Sequence, residues 1–169
     1  MQPLRTLRLR VKIQRGDMKI SIDDIKKLRA KTGVGIADSR KALEEAEGDF
    51  KKAEELVKSW GVEIAAKKSD RAVGSGKVET YIHGEGKVGA IVEIASETDF
   101  VAKTDDFKNL AHEVAMQIAA MDPADVKELL KQEYIRDSSK KIETLVAETI
   151  AKLGENIVIK RFERFELGQ

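Results

Sequence analysis

Cysteine is absent from the 169 residues. That excludes a disulfide frame, a thiol nucleophile and any thiolate zinc site, and it fits a reducing, cytoplasmic setting. No apolar run is long enough to span a bilayer, so no membrane partner is expected. Charge of one sign is equally scarce: 31 basic residues face 30 acidic ones for a formal net charge of +1. Bulk electrostatics therefore points to neither nucleic acid nor a lipid surface, and recognition must rest on specific contacts. Histidine occurs only twice, and no spacing favours a Ser/His/Asp set, so enzymatic chemistry has no positive support. No GxxxxGK[ST] occurs to cradle a nucleotide phosphate. No cofactor and no metal is expected.

What is present suffices for a folded chain. Hydrophobic residues make up 41% of the sequence, enough to bury a core at this length. The first 17 residues are Arg-rich and acid-poor, and a second methionine, Met18, opens a more ordinary sequence. They read as a loose basic N-terminal extension or a misplaced upstream start, with a transit peptide as the alternative.

From there the pattern is helical. Ser21 stands as an N-cap with Asp24 three residues on, and Ile22, Ile25 and Leu28 recur at helical spacing. Gly33 suits the left-handed position after that helix. Gly35 lets a second helix start at once with Ile36, Leu43 and Ala46 as its stripe, and Gly48 stops it. Asp49 can cap a third helix carrying Phe50, Ala53, Leu56, Val57 and Trp60, with Gly61 as its end. Residues 18–61 thus read as a three-helix module and residues 62–75 as a connector.

Beyond it, residues 76–169 read as an α+β domain of a small antiparallel sheet packed with helices. "KVETYIH" and "KVGAIVEIAS" form a hairpin across "GEG", with Val88, Ala90, Val92 and Ile94 on one face. A strong helix carries Phe107, Leu110, Ala111, Val114, Ala115, Ile118 and Met121. Asp122 and Pro123 are placed to begin another, with Val126, Leu129 and Leu130. A last helix holds Ile142, Leu145, Val146, Ile150 and Leu153, and "NIVIKRFERF" returns as a strand.

Two motifs have bland readings. "GEGKVG", residues 84–89, matches GxGxxG, but strand rather than helix follows it, so it reads as a hairpin turn. His112-Glu113 begins an HExxH whose fifth position is Met116, which supplies no imidazole. His83 closes a strand before the tight turn, where a lone histidine is often a polar strand end. A third stretch is harder to absorb. "SETDFVAKTDDF" sets Asp99, Phe100 and Val101 between two patterned segments and belongs to neither period.

"IKKLRAKTGVGIADSRKALEEAEGDFKKAEELVKSWG" followed by "SETDFVAK" closely resembles the elongation factor Ts family, the guanine-nucleotide exchange factors of elongation factor Tu. The resemblance covers nearly everything from Met18 onward. It departs where Ile36 and Ala37 stand in place of the family's usual pair of methionines, and where Ser39 replaces a common cysteine. By this resemblance, Asp99 and Phe100 of the "TDFV" set project into the partner's G domain near the magnesium ion and phosphates, with Thr98 and Val101 as further partner-binding residues. The resemblance also implies partner contacts at Leu28, Val34, Ile36 and Ala37, forming an exposed apolar patch. His83 matches a histidine loop that reaches another domain of elongation factor Tu. Longer family members carry two core lobes and a coiled-coil insertion, whereas this chain has room for one lobe. A homodimer through the core domain is therefore expected, one copy offering Asp99 and Phe100 and the other His83. A generic binding module with a merely dimerising α+β domain is the alternative.

Overall fold

The computed structural model describes residues 20–168, so the basic extension lies outside the described residues. Helices α1 (Ile22–Thr32), α2 (Ile36–Glu45) and α3 (Phe50–Lys68) come first. Their ends follow local chemistry. The Ser21 hydroxyl accepts the Asp24 N–H at 3.0 Å and donates to the Asp24 carboxylate at 2.6 Å, which satisfies one free donor of the first turn. Gly33 ends α1 in the left-handed region, φ 75°, and the Asp49 carboxylate accepts from the amides of Lys51 and Lys52 at the start of α3. Leu28, Ala42, Leu43, Ala46, Ala53 and Val57 close a separate small core among the three helices.

Helix α3 does not end at Gly61 but continues through it to Lys68, inside the stretch read from sequence as a connector. The reason lies in what it packs on. Gly61 is buried against helix α7 (Ile142–Leu153), where a methyl at its Cα would stand 3.8 Å from both the Ala147 carbonyl and the Ala151 Cβ. Packing on a neighbouring helix outweighs the roughly 1 kcal/mol that glycine costs in mid-helix.

The rest is the expected α+β layer arrangement. Strands β1 (Ser75–His83), β2 (Val88–Ser96) and β5 (Ile157–Glu166) form an antiparallel sheet in the order β1-β2-β5. "GEGKVG" is a turn: Gly84, Glu85 and Gly86 all have positive φ, and Lys87 N–H returns to the His83 carbonyl at 3.1 Å. On the inner face Ala90, Val92, Ile94, Ile157 and Ile159 pack on α5 (Asp105–Met121), whose Phe107, Leu110, Ala111, Val114 and Ile118 are all buried. Leu129 of α6 (Val126–Lys131) and Ile142, Val146 and Ile150 of α7 complete this core. On the outer face the register aligns Ile82, Gly89 and Phe165 across the sheet, with Thr80, Ile91 and Glu163 in the next row.

Two boundaries differ from the sequence reading. Asp122 ends α5 in the left-handed region, φ 45°, and the cap of α6 is Asp125, whose carboxylate accepts the Glu128 N–H at 2.7 Å. Residues ahead of α7 form a small hairpin of β3 (Glu133–Tyr134) and β4 (Asp137–Lys141). It is fixed from below by the fully buried Gln117, whose amide donates to the Glu133 carbonyl at 3.1 Å and accepts the Ile135 N–H at 3.0 Å.

Candidate partner-binding site

Between β2 and α5 the chain makes a single helical turn, α4 (Asp99–Ala102). Four residues cannot sustain a helix alone, so its form must come from its ends and from what it packs on. Thr98 caps it, accepting the Val101 N–H at 3.5 Å, and Thr104 closes it by donating its hydroxyl to the Val101 carbonyl at 2.8 Å. Thr104 then caps α5 through the Phe107 N–H at 3.3 Å. Val101 is 8% exposed and belongs to the main core, whereas Phe100 is 78% exposed.

The pair that fitted neither neighbour's period is therefore split: Val101 anchors the turn and Phe100 projects from it. Asp99 is exposed beside it, and its carboxylate accepts from Lys103 Nζ at 2.6 Å. That hydrogen bond, together with the positive charge of Lys103, holds the Asp99 carboxyl below its ordinary range. A projecting aromatic ring with a fixed carboxylate beside it can seat in an apolar pocket and exchange one ion pair for another.

The expected patch on the helical module is only partly at the surface. Ile36 is 59% exposed and Ala37 is exposed, while Val34 is half-buried against the three-helix core. Leu28 corrects the expectation. It is 0% exposed at the centre of that core, so it lies beneath the patch and is not part of its exposed surface. The stripe it shares with Ile22 and Ile25 does not decide this by itself, since Ile22 is 71% exposed and Ile25 half-buried.

His83 is exposed at the end of β1, its Nδ1 3.2 Å from the Tyr81 hydroxyl and its ring stacked on Tyr81 at 6.0 Å. His112 meets the same tyrosine edge-on at 5.6 Å, and Glu113 is engaged by the Tyr134 hydroxyl at 2.6 Å and Arg136 at 3.2 Å. Among the described residues no group of three or more His, Asp or Glu could hold a metal ion. Nor is any helix among them long and apolar enough to cross a membrane.

His83 and Phe100 lie at opposite ends of the β1–β2 hairpin. His83 pairs with Val88 at the turn, and Ser96 leads out at the other end toward Thr98. Eight residue steps of strand separate Val88 from Ser96, roughly 27 Å of rise.

The fold joins a helical module to an α+β domain, each with apolar groups at its surface. The sequence pattern of elongation factor TS matches residues 97–169, the segment that holds α4. Elongation factor Ts of Herpetosiphon aurantiacus is 41% identical over 196 residues, which cover 89% of this chain and 99% of that protein. Its counterpart from Coprothermobacter proteolyticus is 42% identical over 197 residues, covering 90% and 100%. The protein of the same name from Halothermothrix orenii is 45% identical over 149 residues, which are 88% of this chain and 50% of that one. The chain belongs to the elongation factor Ts family of translation elongation. The first two alignments are longer than the chain itself, so those relatives carry residues within the matched span that this chain lacks.

Proposed function

We propose that this chain is a cytoplasmic guanine-nucleotide exchange factor that binds elongation factor Tu, GDP-bound and nucleotide-free, and promotes GDP release by disturbing its magnesium and phosphate site. The observation that carries the reading is the projection of Phe100 from a turn anchored by Val101. A rigid aromatic loses little conformational freedom on docking, and a turn capped at both ends presents it in one direction.

Exchange makes and breaks no covalent bond. It requires a ternary state in which factor and nucleotide weaken one another, and the weakening is reciprocal. Each tenfold of it takes about 1.4 kcal/mol of differential contact. A buried aromatic hot spot supplies about 2 kcal/mol or more, so Phe100 accounts for a share and other groups for the rest. In this division Asp99 leaves Lys103 and competes for hydrogen bonds near the magnesium site. Ile36, Ala37 and Val34 hold the helical module on the G domain, and His83 fixes the pose at a second domain.

The distance between His83 and Phe100 favours a homodimer through the core domain. The outer sheet face supports the same reading, since Ile82, Phe165 and Leu167 are exposed there and Val78 and Ile91 extend the apolar surface. A face of this kind is covered most simply by its own copy, in a contact that is the same on both sides. One protomer would then offer Asp99 and Phe100 while its partner offers His83.

The test is release of a fluorescent GDP from a bacterial elongation factor Tu with and without this chain. Acceleration at catalytic amounts is the expected result. Unchanged release from a partner that responds to another factor of the family would overturn the reading.

A further inference from the structure

Two segments that have no common place in the sequence run side by side at the root of α4. Glu97 and Thr98 lie between β2 and α4, and Glu155 and Asn156 lie between α7 and β5. Each segment supplies a carboxylate to the other. Glu155 accepts both the Thr98 N–H at 3.0 Å and the Thr98 hydroxyl at 2.6 Å, one bond on each carboxylate oxygen. Glu97 accepts the Asn156 N–H at 2.7 Å.

The Asn156 amide, 3% exposed, turns away from the sheet and donates to the carbonyls of Ser69 and Arg71, where the chain leaves α3. Thr98 is thus held through its backbone and its side chain at once, and the same knot reaches the helical module.

This arrangement has more in it than a local turn requires. Thr98 already caps α4 through its hydroxyl oxygen, and that bond is long, 3.5 Å. The two bonds to Glu155 are charge-assisted, a type roughly twice as strong as neutral ones. They fix the backbone direction with which the chain enters α4, one residue before Asp99 and two before Phe100. Val101 fixes the far side of the turn through the core. Without Glu155 the near side would keep the long cap and the bond from the Ser96 hydroxyl to the Thr98 carbonyl at 2.9 Å, but the Thr98 N–H and hydroxyl would lose their acceptor, and more of the ordering of Phe100 would fall to the moment of docking.

We propose that Glu155 is a positioning residue for nucleotide exchange, holding Thr98 so that Phe100 is presented in its docking direction before the partner arrives. The proposal rests on the reading of Phe100 as the group that enters the partner. Glu155 acts through Thr98, its hydrogen-bond partner at both carboxylate oxygens.

The experiment is a double-mutant cycle on GDP release from elongation factor Tu, comparing the full chain with Glu155→Ala, Phe100→Ala and the two together. Thermal unfolding serves as the control for folding. Glu155→Ala is expected to lower kcat/KM for exchange about tenfold in the wild-type background and less than twofold once Phe100 is gone. Glu155→Gln, which keeps one of the two acceptor oxygens without the charge, is expected to restore part of the loss. Hydrogen exchange of the 98–103 amides should quicken in Glu155→Ala.

Wild-type exchange in Glu155→Ala would overturn the proposal, as would a tenfold loss in both backgrounds, which marks a general effect on the fold. Either would leave the role of Phe100 intact. Wild-type exchange in Phe100→Ala would instead remove the functional reading and the proposal with it. If Glu155→Ala fails to fold, Thr98→Val carries the same cycle, with the same non-additivity expected and additivity overturning it.

Discussion

Phe100 and Val101 are consecutive in the chain and face opposite ways, 78% and 8% exposed. Their substitutions should therefore part company. Val101→Ala removes buried methyls from the main core and should cost about 1.5–2.5 kcal/mol of stability. Phe100→Ala removes a ring that touches mostly solvent and should leave the unfolding midpoint in urea within error of wild type. A Phe100→Ala variant as destabilised as Val101→Ala would mean that the ring packs inward in solution.

The outer face of the sheet gives a second outcome. Phe165 is 69% exposed within one chain, so Phe165→Glu should not disturb the fold, but it should place a carboxylate in the two-fold contact proposed for this face. By sedimentation velocity the wild type is expected as a dimer and the variant as a monomer with an unchanged melting temperature. A wild-type chain that stays monomeric at working concentration while exchanging normally would contradict the arrangement in which two copies serve one partner.

Tyr134 gives a prediction with a sign in pH. Burial first, then its hydrogen bond to the Glu113 carboxylate and that group's charge, raise its pKa above the ordinary value. The folded state therefore favours the neutral phenol. Its contribution is fully present below about pH 10, where an unfolded tyrosine begins to ionise, and is lost as the pH rises through the folded value. Tyr134→Phe should cost about 1.5 kcal/mol at pH 9, as expected for a hydrogen bond to a charged group. The gap between the two proteins should narrow by pH 11. A constant gap across that range, measured by urea unfolding, would show that Tyr134 ionises as freely folded as unfolded.

Two glycines should respond in opposite directions. At Gly61 a methyl meets its nearest atoms at 3.8 Å, an ordinary contact. Gly61→Ala should therefore stabilise α3 by about 0.5–1 kcal/mol. At Gly76, φ is 148° and a methyl would stand 2.3 Å from the Ile94 carbonyl oxygen on the paired strand. Gly76→Ala should destabilise by about 2 kcal/mol, since backbone must move. Thermal unfolding distinguishes them: the first melts above the wild type and the second below it.

These contrasts mark where the sequence was readable. Caps such as Ser21 and Asp49, the left-handed Gly33 and the alternation in β2 are local signals, and the structure keeps them. The passage of α3 through Gly61 was not legible, because it depends on Ala147 and Ala151, far along the chain. The β3–β4 hairpin is not legible for a similar reason: "DSSKK" has no β-branched residue, and Glu133 and Ile135 ahead of it are held by Gln117 from α5. In the candidate site, Phe100 and Val101 stand out because they belong to neither neighbouring period, whereas Asp99 is singled out by the resemblance. Leu28 is placed in an exposed patch only by the resemblance, and the structure buries it in the three-helix core instead. Glu155 carried no signal at all, since its partner Thr98 lies 57 positions away.

Nucleotide release is proposed to depend on Phe100. The direct measurement is the rate of GDP release from elongation factor Tu over a range of factor concentrations, with wild type and Phe100→Ala side by side. A loss of about 30-fold or more in kcat/KM is expected, the equivalent of the ~2 kcal/mol of a buried aromatic contact. Exchange by Phe100→Ala as fast as by the wild type, from a variant equally well folded, would contradict it.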